Sequence, residues 1–524
     1  MELLKKNIRM TWLKGKGGIQ TALEEDRNVP DSRPDAGSII QAKGTIRTEE
    51  VRAGQGQVEV SGKLEVHILY VSDNEDHTLC RLQVELPFSE TIRLEEAEPG
   101  NTIDLKKEIE NLNVQLINSR KFSVRAVISL EAAVCGLYDA QAGVELHGAE
   151  GLCEKKRAIR PLSLTVQTRD ILRIKEDLAL ASNKPNMAEI LWESVQLRGT
   201  DTRVQDGGLE IRGELFIFLL YAADDEKRTK QWLETTVPFK QTLAAAGASE
   251  TDIPDVAVML SEVSVEIKAD SDGEPRVAAL EAVLDLEIRL YQEENVEILD
   301  DLYSIGKELV PIRKEESYES LVVRNFARCK AAERLRLEPK KPRMLQICHS
   351  RGEVKIDDAS VVPGGVKVEG AVEVSILYVT ADDAVPFAVM EGAVPFKQVI
   401  EAEGLGADCR FTLRAWTEQL GAAMIDSEEI EIKAGIDLHV LAVERHREAF
   451  LAEVEEKEPD LEKLQEMPSM TGYLVQPGDS LWEIAKEWRT TEERIRQMNH
   501  LEGETIEPGT RIILVKNVRE LQLR

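Results

Sequence analysis

Histidines are the first side chains to examine for chemistry, because they serve as metal ligands and as general bases. Zinc sites and catalytic dyads place such residues at fixed spacings, for example on one face of a helix. Only seven histidines occur, and none lies at metal-ligand spacing. They are His67, His77, His147, His349, His439, His446 and His500. The histidines therefore predict neither a metal centre nor a catalytic site.

Cysteines, acidic pairs and short motifs lead to the same prediction. Six cysteines, at 80, 135, 153, 329, 348 and 409, have no C-x-x-C spacing and are expected to be reduced, partly buried thiols. Pairs such as Glu95-Glu96 or Glu455-Glu456 lack the EF-hand spacing with its glycine. No G-x-S-x-G, H-E-x-x-H or phosphate-binding P-loop occurs. We predict a protein that is not an enzyme and holds no cofactor or metal.

Length, composition and charge limit the possible classes of protein. At 524 residues the chain exceeds a single core, and about 150 residues per domain predicts three or four domains. A net charge of −30 without a basic run argues against nucleic acid and anionic membrane as partners. The longest apolar run, residues 216–223, is far shorter than the roughly 20 residues of a membrane-spanning helix. The first 18 residues show no secretory signal, so a cytoplasmic location is expected.

One segment occurs three times and defines the organisation of the chain. GQVEVSGKLEVHILY ends at Tyr70, GGLEIRGELFIFLLY at Tyr221 and GGVKVEGAVEVSILY at Tyr378, so the copies are 151 and then 157 residues apart. A Pro-Phe pair begins 17 residues after each tyrosine, and another proline lies 36 residues before each tyrosine. These are Pro87-Phe88, Pro238-Phe239 and Pro395-Phe396, and Pro34, Pro185 and Pro342. The repeating unit is therefore a whole domain.

The repeated segment has the pattern of a long strand. Apolar residues fall on every second position, which is typical of a half-buried strand. Gly62, Gly213 and Gly370 lie on the same face as these residues and predict a bulge or bend. Further alternating segments follow at 122–130, 284–290 and 430–440. Each copy is predicted to be an antiparallel β-sandwich or partly open barrel, in which the tyrosines and Pro-Phe pairs are core and edge anchors.

A small module follows the third repeat. Predicted limits are 1–155, 156–305 and 306–445 for the repeats, 446–470 for a charged linker and 471–516 for the module. Ser480 with Glu483, and Thr490 with Glu493, form two capping boxes that predict two helices. Asn499 suits the end of the second helix because asparagine tolerates a left-handed backbone. Strands at 473–475 and 511–515 complete a βααβ order, so the whole chain is predicted to be mainly β with a small α+β module.

This module resembles a LysM domain. The resemblance rests on Tyr473, Val475, Gly478-Asp479-Ser480-Leu481, Ile484-Ala485, Ile495, Asn499, Leu501, Ile506, Pro508-Gly509 and Ile512. LysM domains hold N-acetylglucosamine-containing glycans in a shallow groove, which here would lie between the loops at 478–481 and 499–508. The resemblance implies a ligand or partner groove formed by Gly478, Asp479, Ser480, Leu481, Trp482, Met498, Asn499, Leu501, Ile506 and Pro508. About a third of the matched residues would face a ligand, since most serve the fold of so small a domain.

Repeated β domains followed by a LysM domain resemble the spore-coat morphogenetic proteins of endospore-forming bacteria, which are built from SPOCS domains. The resemblance covers nearly the whole chain. It implies a scaffold in the mother-cell cytoplasm that joins coat material to the forespore surface. Its implied partners are the ATPase of the coat basement layer, which the LysM domain would contact, and other coat proteins. A protein ligand would also explain a LysM domain on a chain without an export signal.

Two other readings remain open at this stage. The first is a protein of the spore envelope that binds peptidoglycan through N-acetylglucosamine glycan. The second is a structural component like those of phage tails, which also carry LysM modules on β-rich proteins. An enzyme is the weakest alternative, because no catalytic motif is present.

Overall fold

The computed structural model describes residues 1–406, 409–458, 466, 468–501, 503 and 505–515. Each repeat contains six antiparallel strands that pair as two three-stranded sheets. The first repeat comprises β1 (Glu2–Asn28), β2 (Ala36–Gly54), β3 (Gln57–Ser72), β4 (Leu79–Arg93), β5 (Thr102–Asn118) and β6 (Lys121–His147). Its sheets have the orders β1-β6-β5 and β2-β3-β4, so the central strands are β6 and β3.

The other two repeats have the same order. The second comprises β8 (Leu162–Ala179), β9 (Met187–Gln205), β10 (Gly208–Ala223), β11 (Lys230–Ala244), β12 (Ile253–Ala269) and β13 (Pro275–Glu293). The third comprises β15 (Glu308–Arg336), β16 (Met344–Val362), β17 (Gly365–Thr380), β18 (Phe387–Glu401), β19 (Cys409–Met424) and β20 (Glu429–Lys457). Two further strands, β7 (Leu152–Ile159) and β14 (Val296–Ser304), pair with each other. The carboxy-terminal module contains β21 (Met470–Leu474), α1 (Leu481–Glu487), α2 (Glu492–Asn499) and β22 (Arg511–Val515).

Each repeat is a two-layer sandwich with its own apolar core. In the first repeat, alternate residues of β3 such as Val58, Leu64 and Tyr70 pack against alternate residues of β6 such as Phe122 and Ile128. Equivalent cores fill the second and third repeats. The predicted mainly β fold is confirmed, and the segments predicted at 122–130, 284–290 and 430–440 lie in β6, β13 and β20.

The structure explains the 36-residue spacing between proline and tyrosine. The hydroxyl of each buried tyrosine donates a hydrogen bond to the carbonyl oxygen of the proline in its own repeat. The distances are 3.5 Å for Tyr70 and Pro34, 3.2 Å for Tyr221 and Pro185, and 3.1 Å for Tyr378 and Pro342. Burial raises the pKa of all three phenols, that of Tyr378 to about 12. The tyrosine therefore fills the core and also holds the loop that precedes the second strand.

The Pro-Phe pairs cover the glycines of the neighbouring strand. Gly62 pairs with Phe88, Gly213 with Phe239 and Gly370 with Phe396 across the sheet. A register shift in the strand on the other side lies opposite each glycine, so the predicted bulge is confirmed. A Cβ at Gly62 or Gly370 would collide with a backbone carbonyl oxygen of that strand, and one at Gly213 would meet Phe239 Cζ at 2.8 Å. The prolines lie on edge strands of their sheets, so the N–H that each proline lacks does not interrupt the hydrogen bonding of a central strand with two neighbours.

A second apolar cluster joins the three repeats. Leu69, Leu220 and Leu377 lie on the opposite faces of β3, β10 and β17 from the sandwich cores, and each is at most 2% exposed. We call the group to which they belong the central cluster; it also contains Val71, Leu79, Leu191, Trp192, Phe218, Ala222, Cys348, Phe387 and Val389. Its members come from all three repeats. The repeats therefore share a common core and do not form a string of independent domains.

Three two-stranded ribbons extend beyond the sandwiches. One joins the beginning of β1 to the end of β6, another the beginning of β15 to the end of β20, and the third is β7 with β14. Their apolar faces pack on one another through residues such as Ile8, Ile298, Tyr318 and Phe450. We call these three ribbons the ribbon bundle. Each contributes at least one residue to this shared apolar cluster.

Strands of the ribbons cross two of the predicted domain limits, and the limits remain predictions. Strand β7 runs across the predicted limit between 155 and 156. Strand β20 continues to Lys457, so the first part of the predicted linker is strand, because its alternating apolar residues are paired with β15. Most of the remaining linker, including Pro459, lies outside the described residues.

Substitution of Gly370 by alanine should lower the free energy of unfolding by about 1–3 kcal/mol, because the new methyl group must displace the backbone of β16. The measurement is the midpoint of denaturant unfolding of the full chain. Gly421→Ala in β19 is the control, since its nearest contact would be Lys433 O at 4.0 Å. Equal midpoints for the two variants would contradict the close approach of the backbone at Gly370.

Candidate functional site

The carboxy-terminal module is a small α+β unit whose helices begin at capping residues. The Ser480 hydroxyl accepts a hydrogen bond from the backbone N–H of Glu483 at 3.2 Å, so the predicted start of α1 is confirmed. The predicted cap of α2 at Thr490 is wrong by one residue. Thr491 caps this helix by accepting from the Arg494 N–H at 3.2 Å. Thr490 instead belongs to the turn after α1, where its N–H donates to the Ala485 carbonyl oxygen.

Asn499 has a different role from the one predicted. The left-handed residue at the end of α2 is His500, with φ of 51°. Asn499 is the last helical residue, and its amide forms two hydrogen bonds with the backbone of Ile513, at 2.8 Å to the carbonyl oxygen and 2.6 Å from the N–H. Because the amide pairs with β22 as another strand would, it joins α2 to the sheet.

The two loops of the predicted groove leave the same end of the strand pair. Beyond the Leu474–Arg511 pair, the Val475 N–H donates to the Thr510 carbonyl oxygen at 3.0 Å, and the Gly509 N–H donates to the Val475 carbonyl oxygen at 2.8 Å. Gly478 and Gly509 have φ of 99° and 88°, which makes both loops turn sharply. The loop that follows β21 and the loop that precedes β22 therefore lie together at one end of the module.

Within this region some predicted residues serve the fold and others face outward. Leu481 is 3% exposed, and Leu501 and Ile506 pack on the same core. Asp479 accepts hydrogen bonds from the Tyr473 hydroxyl and the Gln476 N–H, both at 2.8 Å. The first of these bonds raises the pKa of Tyr473. Gly478, Met498 and Pro508 are exposed. A ligand in this groove would therefore meet these three residues and loop backbone.

Trp482 belongs to a different surface, the one that docks the module onto the ribbon bundle. Its indole N–H donates to Asp301 at 2.8 Å, and its ring packs edge-on against Tyr303 with centroids 4.9 Å apart. Lys486 donates to both carboxylate oxygens of Asp301, at 2.7 and 2.8 Å. Burial alone would raise the pKa of Asp301, but the hydrogen bonds from Lys486 and Trp482 bring it below its usual value. This carboxylate is therefore held in its charged form.

The contact continues along one stripe of α1 and the turn after it. Tyr303 is 5% exposed and donates its hydroxyl to the Thr490 carbonyl oxygen at 2.8 Å. Arg489 donates to the Lys307 carbonyl oxygen at 3.3 Å and lies 3.5 Å from Glu308. The interface lies between the stripe formed by Trp482, Lys486, Arg489 and Thr490, and the residues 301–308. A helix exposes residues at such spacings on one side, so α1 uses one stripe for the module core and another for docking.

Sequence reasoning did not find this docking surface. The stripe on α1 carried a usable signal, because an indole, an ammonium and a guanidinium recur at helical spacing beside the core stripe. Nothing local marks Asp301 and Tyr303 as their partners, since they lie more than 180 residues earlier in the chain. Only the folded arrangement of β14 and the ribbon bundle brings them together.

Comparison with known families identifies both kinds of domain. The family model described as SipL, SPOCS domain matches residues 35–117, 186–268 and 343–425, and the LysM domain model matches 473–515. No curated protein and no solved structure matches the chain. SPOCS and LysM domains are binding and scaffold modules, and their combination fits a sporulation protein associated with the spore coat and with peptidoglycan. Among the described residues, no helix has the length and apolar character needed to cross a membrane.

Substitution of Asp301 by alanine should release the module from the ribbon bundle. It removes the acceptor of Trp482 and Lys486 and should weaken docking by about 2 kcal/mol, as expected for hydrogen bonds to a charged group. Hydrogen exchange of α1 and residues 301–308 should become faster. Because the folded pKa of Asp301 is lowered, its contribution is present at neutral pH and is lost as the pH falls through that folded value.

Asp300→Ala is the matched control for this experiment. This neighbouring carboxylate faces Arg157 at 3.3 Å and Lys155 at 3.9 Å within the ribbons, and not the module. Exchange in α1 that stays slow in Asp301→Ala, or that becomes equally fast in both variants, would contradict the docking role of Asp301.

Proposed function

Because the chain is a protein of the SipL type, with three SPOCS domains followed by a LysM domain, we propose that it is a non-enzymatic scaffold in assembly of the bacterial endospore coat. It works in the mother-cell cytoplasm and tethers coat material to the forespore surface. Its LysM domain contacts the ATPase of the coat basement layer, and other surfaces contact further coat proteins. This arrangement requires a partner-binding module held at a fixed place on a larger body.

The docked position of the LysM domain is the observation that carries this proposal. The domain rests on the ribbon bundle through α1, while the ends of its loops remain exposed. The ribbon bundle is in turn continuous with the repeats through β6 and β20. A partner bound to the LysM domain would therefore have a defined position relative to all three repeats. A fixed position reduces the ordering cost of a multi-component assembly.

An apolar strip on the LysM domain favours a protein as its partner. Met470, Leu474 and Ile513 lie on the outer face of β21 and β22 and are 62%, 50% and 47% exposed. They are on the opposite face from the buried Ile512 and Leu514, so the module core does not use them. Exposed apolar side chains grouped beside polar loops are typical of protein-binding surfaces. We assign the contact with the ATPase to this strip.

Replacement of Ile513 by glutamate should prevent capture of the protein at the forespore, because a charge cannot be buried in an apolar contact. The measurement follows fluorescent fusions through sporulation, with full-length protein and a truncation after residue 470 as references. Ile117→Glu is the control, since Ile117 is 54% exposed on the first repeat. Full-length protein that stays diffuse in sporulating cells would refute the scaffold, and normal capture of Ile513→Glu would refute the strip as the contact.

A second candidate function is binding of N-acetylglucosamine-containing peptidoglycan. It is favoured by the exposure of Gly478, Met498 and Pro508 in the groove, which docking leaves accessible. Co-sedimentation with purified peptidoglycan should then be reduced in Met498→Glu and unchanged in Ile513→Glu. The two variants separate the candidates, because each removes one surface of the same domain. If peptidoglycan sediments neither the parent protein nor either variant, this second function is excluded.

A further inference from the structure

A polar cavity lies beside the central cluster, where the three repeats meet. It has two adjoining parts of about 430 and 220 Å³, and Lys43 and Arg351 line both. Ser194 lines the smaller part. Lys43, Ser194 and Arg351 are the same position of the repeat, 151 and then 157 residues apart. One position therefore contributes an ammonium, a hydroxyl and a guanidinium to a single space. We call this space the central cavity.

Several hydrogen-bond donors of the central cavity have no partner among the described residues. The Ser194 hydroxyl is one of them, and this residue is only 2% exposed. Gln41 Nε2 lines the smaller part, and Gln196 Nε2 and Trp416 Nε1 line the larger part. The two amide nitrogens and the indole nitrogen can only donate. Buried groups of this kind are normally paired, so these donors require acceptors beyond the one that a ring nitrogen of His349 can offer in the smaller part.

The carboxylates that line the cavity are paired with cations or exposed to solvent. Glu65 pairs with Arg47 at 2.8 Å and Glu193 with Arg81 at 3.1 Å. Glu353 lies 3.1 Å from Arg351 and is 65% exposed. A fourth carboxylate, Glu391, is exposed. Lys43 makes no hydrogen bond or ion pair with any described residue. Burial lowers the pKa of Lys43 to about 8, so it still carries its charge at neutral pH.

We propose that the central cavity binds a small oxyanion, which accepts hydrogen bonds from Lys43, Gln41 and Ser194. A carboxylate or a phosphate supplies both the negative charge and the acceptor oxygens that these groups lack. Gln196 and Trp416 provide further donors for a larger anion. Lys43 and Gln41 come from the first repeat, Ser194 and Gln196 from the second and Trp416 from the third, so the complete site exists only when the repeats are packed together. Such an anion stabilises the assembled state and not the separated repeats.

The test is thermal unfolding of the full chain in sodium phosphate, sodium citrate and sodium chloride at matched ionic strength. The unfolding temperature should rise to a saturating value with phosphate or citrate and not with chloride. A response to phosphate alone identifies a phosphoryl ligand, and a response to citrate alone identifies a carboxylate. Lys43→Met should unfold at a higher temperature than the parent without oxyanion, because a half-buried charge that Arg351 repels is removed. It should show no saturable rise.

Lys106→Met is the control variant, since Lys106 is 70% exposed and its ion pair is with Glu108 at 3.6 Å. It should respond as the parent does. Equal, unsaturated rises in the parent and in Lys43→Met would overturn the proposal, because they would reflect the general stabilisation that excluded salts give to folded proteins. If Lys43→Met does not fold, titration calorimetry of the parent decides, and absence of binding heat with both phosphate and citrate overturns the proposal.

Discussion

The strands β3, β10 and β17 are apolar on both faces near their ends, and one sandwich can cover only one face. Tyr70 and Leu69 are adjacent, point to opposite sides and are both fully buried. The first packs into its own repeat and the second into the central cluster. Each repeat alone would expose an apolar stripe to water, at a cost of about 25 cal/mol per Å². The packing of the three repeats on one another and the central cavity where they meet follow from covering these three stripes.

Local pattern was sufficient to predict the repeats from the sequence. Alternation identifies a strand because side chains point to opposite faces, and the recurring tyrosine and proline are explained by one hydrogen bond within the sandwich. The packing of one repeat on another was not predicted. A signal existed in residues 216–223, a continuous apolar run that is typical of a strand buried on both faces. The run is too short for a membrane-spanning helix, but nothing in it identifies the surface that covers the second face of the strand.

The carboxy-terminal module shows a similar division. Ser480 was predicted as a cap because its partner, the Glu483 N–H, is three residues away, and such local hydrogen bonds depend little on the rest of the fold. Thr490 was predicted as a cap on an equally local pattern. In the structure the Thr490 carbonyl oxygen accepts a hydrogen bond from the Tyr303 hydroxyl. These residues are 187 positions apart, so no short sequence pattern contains the contact. The resemblance to LysM domains placed Trp482 in a ligand groove, and no short pattern could show its contact with Asp301, which is distant in sequence. Whether the groove residues bind a ligand stays a prediction.

Strands β6 and β20 are 27 and 29 residues long and run without interruption from a sandwich into the ribbon bundle. Their length has a mechanical consequence for any assembly that pulls on the LysM domain. Such a pull reaches the repeats along the chain through the end of β20. Its component along the strand loads the backbone hydrogen bonds between β15 and β20 in shear. Interstrand hydrogen bonds that are loaded in shear share the force, whereas hydrogen bonds that are peeled from one end of a strand break one at a time. The continuous pairing of β15 with β20 therefore gives this ribbon resistance to tension along its strands.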